Sequence, residues 1–312
     1  MKAIRFIVLA NPVSGDFFIK DLIQHDLFPE MIVCEDPFYS SGISSKNILK
    51  KIFIHLCIII KQSTFKKNYH IYFLAKKYSI KTWPSQNVNS LSFSRTLKKM
   101  DIDYAFVFTF KLLSEKIFNI PKFGTINFHP SFLPMHRGAN PCNWVILKNE
   151  KKTGITFHYI DEGIDTGSII EQHEIPLSGF EDSKILESYL YYMGSKLFIK
   201  LIMKLKHEQK LPIFKKDNSI ESYDSPFKRK HIMINKGLSS EEILRTIKAS
   251  ASFNGAIFKH EGKEYSIIDG IVIDSADFVE NKFPFFMNGN IYIKSADTKI
   301  VCMLLSKKQN KL

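Results

Sequence analysis

The sequence predicts an α/β fold in which an N-terminal domain built on a mostly parallel sheet is followed by a smaller β-rich domain. Three observations carry this. The chain opens strand, helix, strand: the apolar run Ile4–Ala10 is closed by Asn11-Pro12, Phe17–Gln24 has helical spacing, and Met31–Cys34 is a second short apolar run. The alternation resumes after residue 100. From Glu208 onward helical periodicity fades, and beyond Gly255 short strand-like runs dominate.

Taken in order, residues 46–81 interleave lysines with Ile, Phe, Leu and Tyr, a pattern for one or two amphipathic helices. Their basic face suits either solvent above a sheet-packed helix or an anionic surface. The apolar run Ile52–Ile60 within them is far shorter than the ~20 residues that span a bilayer. Tyr104–Phe108 and Gly124–Phe128 read as strands around a short helix near Leu113–Phe118. Asn143–Lys148 reads as helix, Ile155–Ile160 and Ser168–His173 as strands, and Asp182–His207 as a long closing helix. Residues 208–230, polar and basic with Pro212 and Pro226, suit a linker. Ser239-Ser240-Glu241-Glu242 supplies a cap and first-turn acids for another helix. The runs Ala256–Lys259, Tyr265–Ile268, Ile271–Ile273, Ile291–Ile293 and Ile300–Leu304 then form the β-rich part. The expected domains are therefore 1–207 and 231–312, joined by 208–230.

Composition agrees with two globular domains: 312 residues, 45% hydrophobic, with 27 Phe and 12 Tyr to fill cores. The four cysteines lie far apart without a CxxC, which fits neither a zinc cage nor a disulfide framework but does fit free thiols. The N-terminal apolar run is short and is followed by Asn11-Pro12-Val13-Ser14-Gly15-Asp16, so a buried first strand explains it better than a signal peptide. A cytoplasmic protein with no membrane span is expected. The net charge of +13 favours anionic partners, whether nucleotide, nucleic acid or membrane surface, without choosing among them.

The chemistry is concentrated between Gly124 and Gly167. Asn127 and His129, two apart at a strand end, share a face, and Pro130 and Pro134 then turn the chain away. Polar side chains at the carboxyl end of a parallel strand stand where open α/β sheets bind ligands. A second loop, Asp161–Gly167, follows another strand and can bring a carboxylate to the same edge, its glycines allowing close backbone approach. An amide donor, an imidazole and a carboxylate form a kit for acyl transfer: the amide supports a developing oxyanion, the imidazole donates to it or moves protons, and the carboxylate orients the ring. No serine or cysteine nucleophile is needed when the acceptor brings its own amine. His158, on an apolar strand, reads as a core histidine, His136 as loop surface, and Trp144 as core. Arg137 reads equally as loop anchor or acceptor contact, and Asp161 competes with Asp165 as the site carboxylate.

The stretch resembles the signature of the folate-dependent formyltransferases, Asn-x-His-x-Ser-x-Leu-Pro with Arg-Gly behind it and then Gly-x-Asp-x-Gly. It is matched at Asn127, His129, Ser131, Leu133, Pro134, Arg137, Gly138, Gly163, Asp165 and Gly167. The resemblance extends loosely from Ile4 to about His207, and Leu238–Ile268 looks like the start of the family's small C-terminal barrel. It implies a Rossmann-like formyltransferase domain with an OB-like barrel behind it, and a catalytic trio of Asn127, His129 and Asp165. It also implies N10-formyltetrahydrofolate as donor, no metal, and folate contacts from Phe110, Lys111, Leu112, Leu113, Asp161, Gly163 and Ile164. Arg137, Gly138 and Asn11 are candidate acceptor contacts.

Several acceptors fit this resemblance. A nucleotide-linked (dTDP- or UDP-) amino sugar for surface polysaccharide such as O-antigen is favoured. Asn11-Pro12-Val13-Ser14 replaces the Gly-Thr-Pro turn of the methionyl-tRNA formyltransferases, and a lysine-rich insertion stands where they have a short basic loop. Methionyl-tRNA is the alternative, and the +13 charge suits it. A formylating module for peptide products and a formyltetrahydrofolate hydrolase are further readings; the hydrolases typically carry an added N-terminal regulatory domain. A non-catalytic nucleic-acid-binding protein on this scaffold is the reading of another class. A homodimer is a further expectation.

Overall fold

The computed structural model describes residues 4–36, 64–207, 211, 213–214, 220–273 and 282–306. The Ile52–Ile60 run, residues 46–63 of the lysine-rich insertion and much of the expected linker lie outside the described residues. Contacts divide the chain into two compact units: Met1–Pro134 with Ile155–His173 and Leu190–Ser219, and Met135–Gly154 with Glu174–Tyr189 and Ile220–Leu312. The division interleaves along the chain instead of falling once near residue 207. Its cause is local pairing. The short strand β6 (Arg137–Gly138) pairs with β9 (Tyr223–Asp224), and the helix α5 (Pro141–Leu147) is tied to helix α7 (Ser240–Ala249), where Asn143 Nδ2 donates to Ala249 O at 2.7 Å.

The first unit is organised by a seven-stranded sheet in the order β3-β2-β1-β4-β5-β7-β8. Its strands are β1 (Phe6–Ala10), β2 (Met31–Cys34), β3 (Lys81–Pro84), β4 (Tyr104–Phe108), β5 (Thr125–His129), β7 (Lys152–Tyr159) and β8 (Ile169–Pro176). Strands β3 to β5 run parallel, and β7 joins β5 antiparallel. The central strands β1 and β4 are buried throughout, which is why they read as continuous apolar runs instead of alternating ones. The edge strand β3 and helix α3 (Leu91–Met100) have no counterpart in the sequence reading: the Lys81-Thr82-Trp83-Pro84 run is too short and mixed to show strand periodicity. Of the insertion, Thr64–Lys77 forms helix α2, as its spacing predicts.

Helix α1 (Ser14–Gln24) and helix α6 (Ser183–Leu205) pack on one face of this sheet through aromatic rings. Phe18 stacks on Phe108 at 3.8 Å and meets Phe128 and Phe198 edge-on. Each such fully buried ring contributes about 1.5–3 kcal/mol relative to exposure. A Cβ at Gly194 would lie 2.2 Å from the Phe128 ring, so the close approach of α6 to β5 requires glycine there. Asp21 of α1 takes hydrogen bonds from Ser195 Oγ and Lys196 Nζ, each 2.7 Å, which fixes α6 against α1. On the opposite face, Ile7, Leu9, Val33, Phe93, Leu97 and Val107 form a second apolar cluster, with α4 (Glu115–Phe118) closing it through Ile117.

The second unit contains a six-stranded sheet in the order β10-β11-β12-β15-β14-β13. These are β10 (Met233–Ile234), β11 (Ala256–His260), β12 (Lys263–Ile273), β13 (Phe285–Met287), β14 (Asn290–Lys294) and β15 (Ile300–Leu305). The expected β-rich domain is present, but where an OB-like barrel was expected the outer strands β10 and β13 are not paired with each other among the described residues. The runs Tyr265–Ile268 and Ile271–Ile273 are one strand, broken in register by a bulge between Ile267 and Asp269. Helix α7 covers one face through Ile243 and Ile247; its sequence predicts the cap and first-turn acids, and Ser239 and Glu242 join them in a reciprocal capping box. Cys34, Cys142 and Cys302 are free and buried. Among the described residues no helix is long and apolar enough to cross a membrane.

Candidate active site

The site is built at the end of β5, within the first unit. Asn127 and His129 face the same way because they are two apart on an extended strand, and the antiparallel partner β7 sets His158 opposite Asn127 and Thr156 opposite His129. The loop after β7 returns Asp165 to the same place. Asn127 Nδ2 lies 3.4 Å from Asp165 Oδ1, and His129 Nδ1 lies 3.7 Å from Asp165 Oδ2. The expected trio is therefore one cluster, largely buried: the His129 and Asp165 side chains are 6% and 14% exposed. A carboxylate this screened from water interacts strongly with a neighbouring imidazole.

The Asp161–Gly167 loop shows how the local sequence delivers that carboxylate. Asp161 does not compete for the site: its Oδ1 accepts from Gly163 N at 3.2 Å and from Thr166 Oγ1 at 2.5 Å, folding the loop on itself. Asp165 adopts a left-handed backbone, φ +54°, which aspartate tolerates better than bulkier residues. A Cβ at Gly167 would stand 1.7 Å from Tyr159 O, so no side chain fits where the loop rejoins the sheet. The loop ends are closed by Tyr159 N to Ser168 O, 2.9 Å.

The proline loop after His129 is held by residues the sequence reading did not single out. Thr156 Oγ1 donates to Ser131 O at 2.7 Å and accepts from Leu133 N at 3.2 Å. Gln172 Nε2 donates to Leu133 O at 2.6 Å. Their signal was unreadable because it lies in the placing of β7 beside β5 and of β8 beside β7, not in spacing along the chain.

His158 also belongs to the cluster. It is buried, as a core histidine should be, but its Nε2 stands 3.1 Å from Asn127 Nδ2 and 3.5 Å from Asp165 Oδ1. Among the other candidates, Phe110 and Leu113 pack against the apolar cluster under β1 and β4, while Lys111 and Leu112 project outward, Leu112 76% exposed. Asn89 fixes this segment by donating to Leu112 O at 3.1 Å and accepting from Ser114 N at 2.9 Å. Ile164 is 42% exposed on the other loop. Asn11 is engaged in structure: its Nδ2 donates to Thr109 O at 2.7 Å, and its Oδ1 accepts from Val13 N, Ser14 N and Ser14 Oγ. Its side chain thus clamps the β1 and β4 loops instead of presenting free donors to an acceptor.

Arg137 and Gly138 lie in the second unit, where Arg137 pairs with Glu221 at 2.7 Å and Gly138, φ +103°, closes against Asp224 O. His136 is not loop surface as its sequence suggested. It is 4% exposed and its Nδ1 meets Asp224 Oδ2 at 2.6 Å, while Lys148 Nζ reaches Asp224 Oδ1 at 2.5 Å. Burial alone would raise the Asp224 carboxyl, but hydrogen bonds from His136 and Lys148 and their charge outweigh it and hold the group below the usual carboxylate range. Trp144 is half-buried, with Nε1 donating to Ser225 O.

An open, mostly parallel sheet with an amide, an imidazole and a carboxylate gathered at one strand end defines an α/β domain that takes its ligand at the carboxyl edge. Comparison with known proteins names the group. Residues 61–202 match the family described as Formyl transferase. The methionyl-tRNA formyltransferase of Syntrophus aciditrophicus is 30% identical over 203 residues, 65% of either chain. That of Azobacteroides pseudotrichonymphae is 43% identical over 108 residues, 35% of this chain and 33% of its own. The chain thus spans between about a third and two thirds of the length of the methionyl-tRNA formyltransferases it is similar to. Among solved structures, an N-formyltransferase from Helicobacter canadensis in complex with folinic acid and dTDP-3-aminofucose superposes with a TM-score of 0.64 at 20% identity, covering 97% of this chain and 100% of that one. Over residues 61–202 the chain is thus similar to the formyl transferases, and it shares their fold.

Proposed function

We propose that the protein transfers a formyl group from N10-formyltetrahydrofolate to a primary amine, and that the amine belongs to a nucleotide-linked amino sugar. The observation that carries the first half is the gathering of Asn127, His129 and Asp165 at the end of β5, on a fold shared with formyltransferases. The neutral acceptor amine attacks the formyl carbon. The carbonyl oxygen becomes an oxyanion that accepts hydrogen bonds from Asn127 and His129. Asp165 orients the His129 ring and favours its charged form. The bond from carbon to N10 then breaks, the amine proton passes to N10, and the products are the N-formyl amine and tetrahydrofolate. The exposed apolar side chains of Leu112 and Ile164, with the backbone groups beside them, suit a flat heteroaromatic ring system, so the residues present fit the folate.

The second half rests on extent. The likeness to the Helicobacter canadensis enzyme, whose crystals contained dTDP-3-aminofucose, runs the length of both chains. In sequence, the matches to the two methionyl-tRNA formyltransferases above cover 35% and 65% of this chain. A net charge of +13 suits a diphosphate as well as it suits RNA. The test is an acceptor screen: formyltetrahydrofolate is supplied with dTDP- and UDP-linked amino sugars, or with charged initiator tRNA, and folate release is followed. Turnover with an amino sugar is expected. Turnover with tRNA alone would replace the sugar by the alternative acceptor.

A further inference from the structure

We infer that His158 is a positioning residue: it accepts one amide hydrogen of Asn127 and so decides which way that amide faces. The tautomer is set at the other side of the ring. His158 Nδ1 lies 2.8 Å from Tyr159 O, and a carbonyl oxygen can only accept, so Nδ1 carries the hydrogen. In the neutral ring Nε2 is then an acceptor, and the atom 3.1 Å from it is Asn127 Nδ2. The second neighbour of that Nδ2 is also an acceptor, Asp165 Oδ1 at 3.4 Å.

Two acceptors, themselves 3.5 Å apart, therefore face the NH2 group at this position. A reversed amide would set Asn127 Oδ1 against the Asp165 carboxylate, oxygen facing oxygen, and would require a charged His158 to compensate. His158 is buried on β7 directly across from Asn127, so burial and strand register hold the ring beside the amide. The two bonds are unequal. The shorter one to His158 anchors the amide, whereas the longer one to Asp165 is the bond that a developing oxyanion can take over. His158 thus leaves one Asn127 hydrogen in place for the reaction while itself touching neither formyl donor nor amine.

The inference rests on the proposed formyl transfer for its kinetic arm only. His158→Phe keeps the ring volume and removes the acceptor; His158→Gln restores an acceptor at the same reach. With the intact protein, His158→Phe is expected to lower kcat about 10- to 100-fold while KM for folate and amine stays within about twofold, because an interaction made in the transition state is lost. His158→Gln should recover most of that loss with an unchanged pH profile. The side-chain amide of Asn127, followed by 15N NMR in the folded protein without substrate, should show a slowly rotating, protected NH2 pair in the wild type and in His158→Gln. That protection should be lost in His158→Phe. Wild-type kcat in His158→Phe, or an unaltered Asn127 amide signal, would overturn the assignment. So would a His158→Gln variant as impaired as His158→Phe with one limb of its pH profile missing, since His158 would then be moving a proton. If the wild type formylates no amine at all, the functional reading fails, and the NMR comparison still decides the role of His158.

Discussion

Asp165 addresses Asn127 and His129 at once, its Oδ1 3.4 Å from Asn127 Nδ2 and its Oδ2 3.7 Å from His129 Nδ1. A carboxylate in that position organises the pair and supports positive charge on the ring. Asp165→Asn retains size and hydrogen bonding but not charge. Its kcat is expected to fall about 10²- to 10⁴-fold with little change in melting temperature. A variant turning over at the wild-type rate would remove Asp165 from the mechanism.

Asn127→Ala and His129→Ala test the oxyanion donors directly. Each variant should fold and bind a folate analogue as the wild type does, yet lose about 10²–10³ in turnover, the usual effect of deleting one such donor. Isothermal titration with the analogue separates binding from chemistry; loss of binding in either variant would point to a structural role instead.

Gly167 is constrained by Tyr159 O, which a Cβ would approach to 1.7 Å. Gly167→Ala must displace the loop that carries Asp165. Overpacking of this kind destabilises by about 1–3 kcal/mol, and a shift of ~1 Å in a reacting group lowers rate by about 10²-fold. Denaturant titration and kcat should therefore both respond. An active, equally stable Gly167→Ala would show that the loop position is not limiting.

Asn89 joins the Leu112–Ser114 segment to the turn before α3 through two hydrogen bonds. Asn89→Ala frees one wall of the proposed folate site. The expected result is a several-fold rise in KM for formyltetrahydrofolate with kcat nearly unchanged, as for a loss of uniform binding. A fall in kcat at constant KM would contradict this placement.

Asp224 is buried between His136 and Lys148, and Asp224→Asn removes the charge that both face, leaving His136 only the more distant Glu150 at 3.8 Å among the ion pairs of the described residues. Breaking a buried pair by removing one partner destabilises by about 3–5 kcal/mol. The pH dependence has a definite sign. The folded-state pKa of Asp224 lies below its ordinary value of 3.8, so its contribution is full well above that value. It fades as pH falls toward and below 3.8, through the folded pKa. Urea titrations should show the gap between wild type and Asp224→Asn as constant at neutral pH and narrowing only in acid. A gap that narrowed near neutrality would assign the effect to His136 instead.

By itself the sequence determined the strands Tyr104–Phe108 and Gly124–Phe128, the capped start of α7 and the shared face of Asn127 and His129, because each depends on residues a few positions apart. The Asn-x-His and Gly-x-Asp-x-Gly spacings also carried the choice of Asp165 over Asp161 by resemblance, and the loop's hydrogen bonds supply the physical reason. Only the tertiary structure decided what lies across strands. The antiparallel run of β7 beside β5 brought His158 to Asn127 and Thr156 to the proline loop. Chain return over 88 positions paired His136 with Asp224. Periodicity reports which face of an element is apolar; it is silent on which element comes to lie beside it, and that neighbour is where a buried polar side chain finds the partner its desolvation requires.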